Sequence, residues 1–231
     1  MNKFLALLLL VLTCSVARAG DETVRSTWAA SDQPPDTDLN SSFWRGAVAT
    51  YMDSDPHGKQ DPKYGTEIRA RWTRQNLYFL FVCPYEELYL KPTSEETNEL
   101  WNWDVAEVFI GSDFQHIRRY KEFEMSPRGE WIDLDIDLDK PHDENGWKWN
   151  SAFEVSARID PSAHVWYGAM KIPYSAVDNH PAKAGNTLRI NFFRSQGPAS
   201  ARHQIAWQAP MSNSFHVPER FGLLKLVNEK G

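Results

Sequence analysis

The sequence predicts an all-β fold: an antiparallel, jelly-roll-like β-sandwich of about ten strands. Three observations carry this. Apolar and polar residues alternate over many short runs, turn residues separate those runs at regular intervals, and no long stretch has helical periodicity beyond one turn near Ser175 to Asp178. The matching architecture is a single sandwich of two packed sheets.

Taken in order, the chain begins MNKFLALLLLVLTCSVARAG. A basic start at Lys3, an apolar run from Phe4 to Leu12 and small residues at Ala17 and Ala19 read as a secretory leader over residues 1–19, cleaved after Ala19. The apolar run is too short to span a bilayer. Thr13 is a poor fit to the small residue wanted before a lipid-modified Cys14. Residues 20–231 then form one domain, expected to be secreted or periplasmic and free of the membrane once the leader is removed. Cys83 is the one cysteine left, so no intramolecular disulfide and no cysteine-based metal cluster is expected there.

The whole chain has a formal charge of −6. Lys3 and Arg18 depart with the leader, leaving a more acidic domain with no basic run, which argues against nucleic acid as a partner.

From Asp21 to Gly65 the chain is rich in turn residues, with Trp28, Phe43 and Trp44 as anchors, and reads as irregular wrapping with short strands. Ile68 to Trp72 alternates with charged residues. After an Arg74-Gln75-Asn76 turn, an apolar strand from Leu77 to Cys83 completes a hairpin. Pro84 to Asn98 is polar and acidic, hence a loop. Strands follow at Tyr120 to Ser126, Glu130 to Asp139, Ala152 to Ile159, Val165 to Ile172, Leu188 to Arg194, Ile205 to Trp207 and Gly222 to Val227.

The stretch ELWNWDVAEVFIG, Glu99 to Gly111, holds the densest chemistry. Ala106, Val108 and Ile110 share one face of a strand, and Trp103, Val105, Glu107 and Phe109 share the other. A carboxylate among large apolar groups, with Trp101 at the strand's entrance, suits a ligand surface; the same aromatics could equally close one end of the core.

In WIDLDIDLD, Ile132, Leu134, Ile136 and Leu138 alternate with Asp133, Asp135, Asp137 and Asp139. Placing Phe123 and Met125 on the face of Ile132 and Leu134 keeps the acids out of the core. It sets Glu124 opposite Trp131, Glu122 opposite Asp133 and Tyr120 opposite Asp135. Facing carboxylates call for open water, a basic neighbour or a cation, and calcium on Glu122, Asp133 and Asp135 is the metal alternative.

Catalytic signatures such as Gly-x-Ser-x-Gly, His-Glu-x-x-His and the P-loop do not occur. The seven histidines are scattered. Acidic pairs on a sheet could serve glycoside hydrolysis only if folded across a cleft. Ten tryptophans in one acidic β-rich chain exceed what a single core needs, and sugars bind by laying C–H faces on aromatic rings. Trp28, Trp44, Trp72, Trp166 and Trp207 sit at positions expected for the core. Trp147 and Trp149 stay ambiguous.

RARWTRQNLYFLFVC, LWNWDVAEVFIG, YKEFEMSPRGEW, FEVSARID, MKIPYSAV, LRINFFRS and SFHVPERFGLLKL, in that order, resemble a family 9 carbohydrate-binding module, related to the DOMON-like sandwiches. The Trp-x-x-Asp-x-x-Glu element and the closing Pro-x-x-Phe-Gly are the specific parts. The resemblance implies a secreted, non-catalytic module that holds a saccharide or polysaccharide between two aromatic rings, serves carbohydrate catabolism and carries structural calcium. Its motif tryptophan falls on Trp101, with Trp103 beside it, Asp104 three positions after Trp101, and Glu107 as hydroxyl acceptor. Its second ring falls on Phe215, where sugar-binding members have tryptophan, and a sugar-contacting arginine falls near Glu124, a reversal of charge. Related sandwiches hold haem, for which Met125, Met170 and Met211 are the sulfur candidates. A docking module for an exported enzyme or envelope partner is a further alternative.

Overall fold

Twelve strands and five short 3-10 turns make up the computed structural model, which describes residues 22–90, 97–140 and 147–228. The leader, Cys14 and part of the loop after Pro84 lie outside the described residues. The strands are β1 (Thr23–Trp28), β2 (Ala49–Met52), β3 (Thr66–Trp72), β4 (Asn76–Pro84), β5 (Val105–Gly111), β6 (Arg119–Met125), β7 (Trp131–Asp137), β8 (Glu154–Asp160), β9 (Val165–Pro173), β10 (Thr187–Gln196), β11 (His203–Ala206) and β12 (Gly222–Val227). The expected wrapping segment supplies β1 and β2, and the expected single turn is the 3-10 turn Tyr174–Ala176.

The hydrogen-bonded order is β7, β6, β5, β10, β12, β1, β3, β4, β9, β8, with β11 on β10 and β2 on β3. The sheet is therefore mixed rather than purely antiparallel. β1 runs parallel to β12 over Thr23–Thr27 and parallel to β3 at Thr27 and Trp28. The other strand pairs among the described residues are antiparallel. Folding this path back on itself gives a sandwich that is nearly a barrel, and Phe79 and Phe81 of β4 meet Phe192 of β10 edge to face across its core, at 5.5 and 5.9 Å.

Three apolar clusters result. The central one holds Ile68, Trp72, Phe79, Phe81, Val108, Ile110, Phe123, Met125, Trp166, Met170 and Phe192. Phe43 and Trp44 cap the outer side of β4 and β9 against Tyr78, Leu80 and Ala169. The third lies on the outer side of β5, β6, β7 and β10, where Val105, Phe109, Tyr120, Ile132, Leu134, Ile136 and Phe193 are covered by Leu100 and Phe215. Both halves thus bury residues on both of their sides. The tryptophans expected inside are there: Trp44 and Trp166 are sealed, Trp72 and Trp207 are buried, and Trp28 packs edge-on against Trp72.

Arg194 is a charge inside this core. It donates to the carbonyls of Pro84 at 2.6 Å and Tyr64 at 3.3 Å and to Thr66 Oγ1 at 3.2 Å, which offsets the cost of removing a guanidinium from water. The closing Pro-x-x-Phe-Gly also has a steric reason. A Cβ on Gly222 would stand 2.6 Å from the Glu22 carbonyl oxygen and 2.6 Å from the Trp207 ring, so only glycine lets β12 pass.

The β6–β7 register differs from the expectation by one residue. Met125 pairs with Trp131, Phe123 with Asp133, Glu124 with Ile132, Glu122 with Leu134 and Tyr120 with Ile136. The connection is a three-residue loop, Pro127-Arg128-Gly129, with Gly129 at φ +86° and the Ser126 N–H donating to the Glu130 carbonyl at 3.0 Å. Phe123 and Met125 face the central cluster, while Ile132 and Leu134 face the outer one. Because both faces are apolar here, the aliphatic residues do not have to share a side.

Candidate functional site

That register decides where the acids go. Glu107 from β5 and Glu122 and Glu124 from β6 all point into the outer cluster, and Glu107 and Glu124 are direct cross-strand partners. Their exposures are 2%, 3% and 0%. One carboxylate oxygen from each lies within 4.8 Å of the others. Glu107 Oε1, Glu122 Oε2 and both Glu124 oxygens are sealed from solvent and, among the described residues, receive no hydrogen bond from a nitrogen, while the Glu122 and Glu124 carboxyls hydrogen-bond each other. Desolvation, reinforced by the neighbouring carboxylates, pushes Glu107 and Glu124 well above the usual carboxyl range, and desolvation raises Glu122 as well.

The expected calcium set is not brought together. Asp133 and Asp135 lie on the opposite side of the β6–β7 hairpin from Glu122. The Asp133 carboxylate accepts from the Ser151 N–H at 2.5 Å, and Asp135 pairs with Lys121 Nζ at 2.5 Å. Glu122 belongs with Glu107 and Glu124 instead.

Two groups of opposite character border the three acids. Arg202 acts on Glu107 and Glu124 through its charge, and burial lowers its own pKa. His216 Nε2 stands 4.0 Å from Glu122, while its Nδ1 is 2.6 Å from the Tyr120 hydroxyl.

Trp101 stands at the edge of this region. Leu100–Asn102 form a 3-10 turn, entered through left-handed backbone at Glu99 with φ 59°. Leu100 plugs the outer cluster and Trp101 turns outward, 39% exposed. Arg202 holds the turn in place by donating to the carbonyls of Trp101, Asn102, Trp103 and Gly197. Trp103 stacks on Tyr89 at 4.7 Å and 18°. Asp104 joins the two neighbouring loops, accepting from the Gly197 N–H at 2.6 Å and the Tyr89 N–H at 3.0 Å. The Asp of the Trp-x-x-Asp-x-x-Glu element is therefore a loop clamp.

Phe215 has a packing role that its polar sequence neighbours do not reveal. It is 9% exposed and lies flat on Phe193, ring centroids 4.1 Å apart and planes 8° from parallel. Phe193 in turn is the cross-strand partner of Glu107. Of the five residues expected to meet a saccharide, Trp101 reaches solvent, Trp103 is half-buried, and Glu107, Glu124 and Phe215 are buried. The sequence does not single out Arg202, Tyr89 or His216, since each sits in a segment with no periodic pattern. The haem alternative finds Met125 and Met170 in the central cluster and Met211 exposed.

The fold is thus an all-β sandwich with a braced, outward-facing tryptophan at the entrance of one strand. The chain belongs to the family described as carbohydrate family 9 binding domain-like, which matches residues 35–229. An extracellular protein of Arthroderma benhamiae is 26% identical over 194 residues, covering 78% of this chain and 86% of that one. Among solved structures, a Bacteroides uniformis protein superposes with a TM-score of 0.71 at 15% identity, over 88% of this chain and 98% of that one. A Caldicellulosiruptor kristjanssonii family 9 module in complex with cellotriose gives 0.64 at 12% identity, over 89% and 94%. The same kind of module in complex with glucose gives 0.63 at 13%, over 89% and 96%. Among the described residues no helix is long and apolar enough to cross a membrane.

Proposed function

We propose that this protein is a secreted or periplasmic module that binds a saccharide without cleaving it, with Trp101 as the stacking platform. The observation that carries this is the exposure of Trp101 on a turn whose carbonyls are gathered by one guanidinium, that of Arg202. A large apolar ring held in water by dedicated contacts has no packing purpose of its own, and saccharide C–H faces are its natural complement. Trp103 with Tyr89 flanks the platform. Phe215 lies on Phe193 in the outer cluster that Leu100, the neighbour of Trp101, also covers. Glu107 and Glu124 are buried within the sheet and do not reach its surface.

The family relationship supports this reading, as do the cellotriose and glucose held by two structural relatives. Stacking on one ring contributes on the order of 1 kcal/mol and each added hydrogen bond about as much, so affinity should be micromolar to millimolar. The extracellular relative supports the secreted placement, and a service to polysaccharide catabolism is part of this proposal.

The test is a glycan array followed by calorimetry with the best saccharides, run beside an assay for released reducing ends. Saccharide binding without new reducing ends is the expected result. Folded protein that binds no saccharide at millimolar concentration would end this proposal, and release of reducing ends would make the protein a hydrolase.

A further inference from the structure

We propose that the cleft between the β6–β7 hairpin and the segment Ser175 to Asn179 is a second binding site, for a carboxylated saccharide such as a uronate oligomer. That its ligand is a saccharide rests on the reading above; the cleft and its charge do not. It holds about 860 Å³, within the roughly 300–1,000 Å³ of small-molecule sites. Trp101 precedes the start of β5, whereas this cleft borders Gly111 and Ser112 at its end. The seven residues of β5 separate the two, a length on the order of 20 Å.

Charge is the first support. The whole chain is acidic, at −6, yet the four cations Arg119, Lys121, Lys140 and Lys148 line this cleft. Asp135 answers Lys121 Nζ at 2.5 Å, and Asp137 is shared between Arg119 at 3.3 Å and Lys140 at 3.2 Å. Asp113 also borders the cleft, but its own turn occupies its oxygens. The Gln115 and His116 N–H groups donate to one at 2.8 and 2.9 Å, and the His116 ring lies 2.9 Å from the other. Lys148 is exposed and, among the described residues, has no ion-pair partner. Even with Asp113 counted, cations outnumber carboxylates, so a ligand that completes the cleft carries negative charge.

Preorganisation is the second support. The Lys121 side chain is 22% exposed, and its ammonium lies 4.5 Å from the centre of the Trp149 ring as well as on Asp135. A ring and a carboxylate together hold it in place before any ligand arrives. Trp147 and Trp149 both border the cleft, on a short segment fastened along β7 by the Asp135 N–H, which donates to the Trp147 carbonyl at 2.7 Å, and by a bridge between Leu134 and Lys148. These are the two tryptophans whose purpose the sequence leaves open. The facing wall is anchored as well, since the Ser112 hydroxyl donates to the Val177 carbonyl at 3.0 Å. A uronate matches all of this: its C–H face meets an indole, its hydroxyls meet the paired side chains, and its carboxylate meets the surplus lysine. A neutral sugar leaves that charge unanswered, and a small inorganic anion leaves the rings unused.

The probe is a short oligogalacturonate, with its methyl-esterified form as the uncharged control. Calorimetry would be run on wild type, Trp101→Ala, Lys148→Glu and Arg119→Gln, each checked by thermal melting. Wild type should bind the acid form about fivefold or more tightly than the ester, and added salt should weaken the acid form alone. Trp101→Ala should still bind the acid form. Lys148→Glu and Arg119→Gln, both at exposed side chains, should melt like wild type, weaken the acid form about fivefold or more and leave the binding of neutral saccharides unchanged. Folded wild type that ignores oligogalacturonate, equal affinity for its ester, or binding that survives both cleft substitutions and is lost with Trp101→Ala would overturn the cleft site. Each of these outcomes leaves the Trp101 reading standing, because that reading fails only if neutral saccharides go unbound.

Discussion

Glu107 and Glu124 face each other across the β5–β6 pair, both sealed from water, where paired β-strands ordinarily avoid like charges. Such an arrangement takes up protons, and this has a measurable sign. Glu107, Glu122 and Glu124 all have folded pKa values raised above 4.5 by burial. Below about pH 4 the folded and unfolded chains both hold these protons and the stabilisation is complete. As pH rises through the folded values it is lost, by up to about 1.4 kcal/mol per pH unit for each proton retained.

Urea melts should therefore show stability falling as pH rises above about 5. Glu124→Gln should flatten that decline. Arg202 and His216 also face the cluster. Asp113 works the other way: the His116 backbone N–H first, then its side chain, holds it at about 2, so its contribution is lost as pH falls from about 4 toward 2. Stability that rises with pH above about 5 would refute protonation of the three glutamates.

Trp101→Ala should abolish detectable saccharide binding and leave stability within about 1 kcal/mol of wild type, since the ring is 39% exposed and lies outside the buried clusters. Calorimetry and a thermal melt on one preparation check both halves. Unchanged binding would move the platform elsewhere.

Arg202→Ala removes the donor that gathers the Trp101, Asn102, Trp103 and Gly197 carbonyls. The protein should lose on the order of 2 kcal/mol and bind saccharide at least several-fold more weakly, although Trp101 itself is intact. A variant with normal affinity would show that the turn does not need its brace.

Phe215→Ala should cost about 3 kcal/mol, because the ring lies flat on Phe193 and closes the outer cluster. Denaturant melts measure this. A loss below about 1 kcal/mol would mean that Phe215 is a surface ring after all and make it a direct stacking residue again.

Gly222→Ala should destabilise by about 1–3 kcal/mol, since the added methyl meets the Glu22 carbonyl and the Trp207 ring. Gly129→Ala, with open space around its Cβ, should cost about 1 kcal/mol for its positive φ alone. A larger loss at Gly129 than at Gly222 would contradict the steric account.

Most strands are legible in the sequence because alternation is a local signal: Ala106, Val108 and Ile110 do face the central core, and Gly222–Val227 is a strand as expected. The two strands in the wrapping segment are less so, because Thr23–Trp28 and Ala49–Met52 carry too few alternating residues to stand out. The acid site is misplaced by sequence for a physical reason. Placing Phe123 and Ile132 on one face presumes that a sheet has a single buried side, yet Leu100 and Phe215 bury the other side too. Once both faces are covered, hydrophobicity no longer chooses a register, and the three-residue turn at Pro127–Gly129 does. Trp101 is legible through its motif. Arg202 is not, because its partners are backbone carbonyls, which every sequence has.

The seam at β1 bears on how this molecule comes together in time. Thr23 pairs with Leu223, and a few residues later Trp28 pairs with Trp72. Until β12 is available, a growing chain has two curled half-sheets whose inner edges are bare, one on β3 and β1 and one on β10. Joining them closes a loop that spans nearly the whole domain, the kind of step that contact-order arguments make slowest. The sandwich is thus a clasp fastened by its two extremities, with its aggregation-prone interval ending when the final strand slots home.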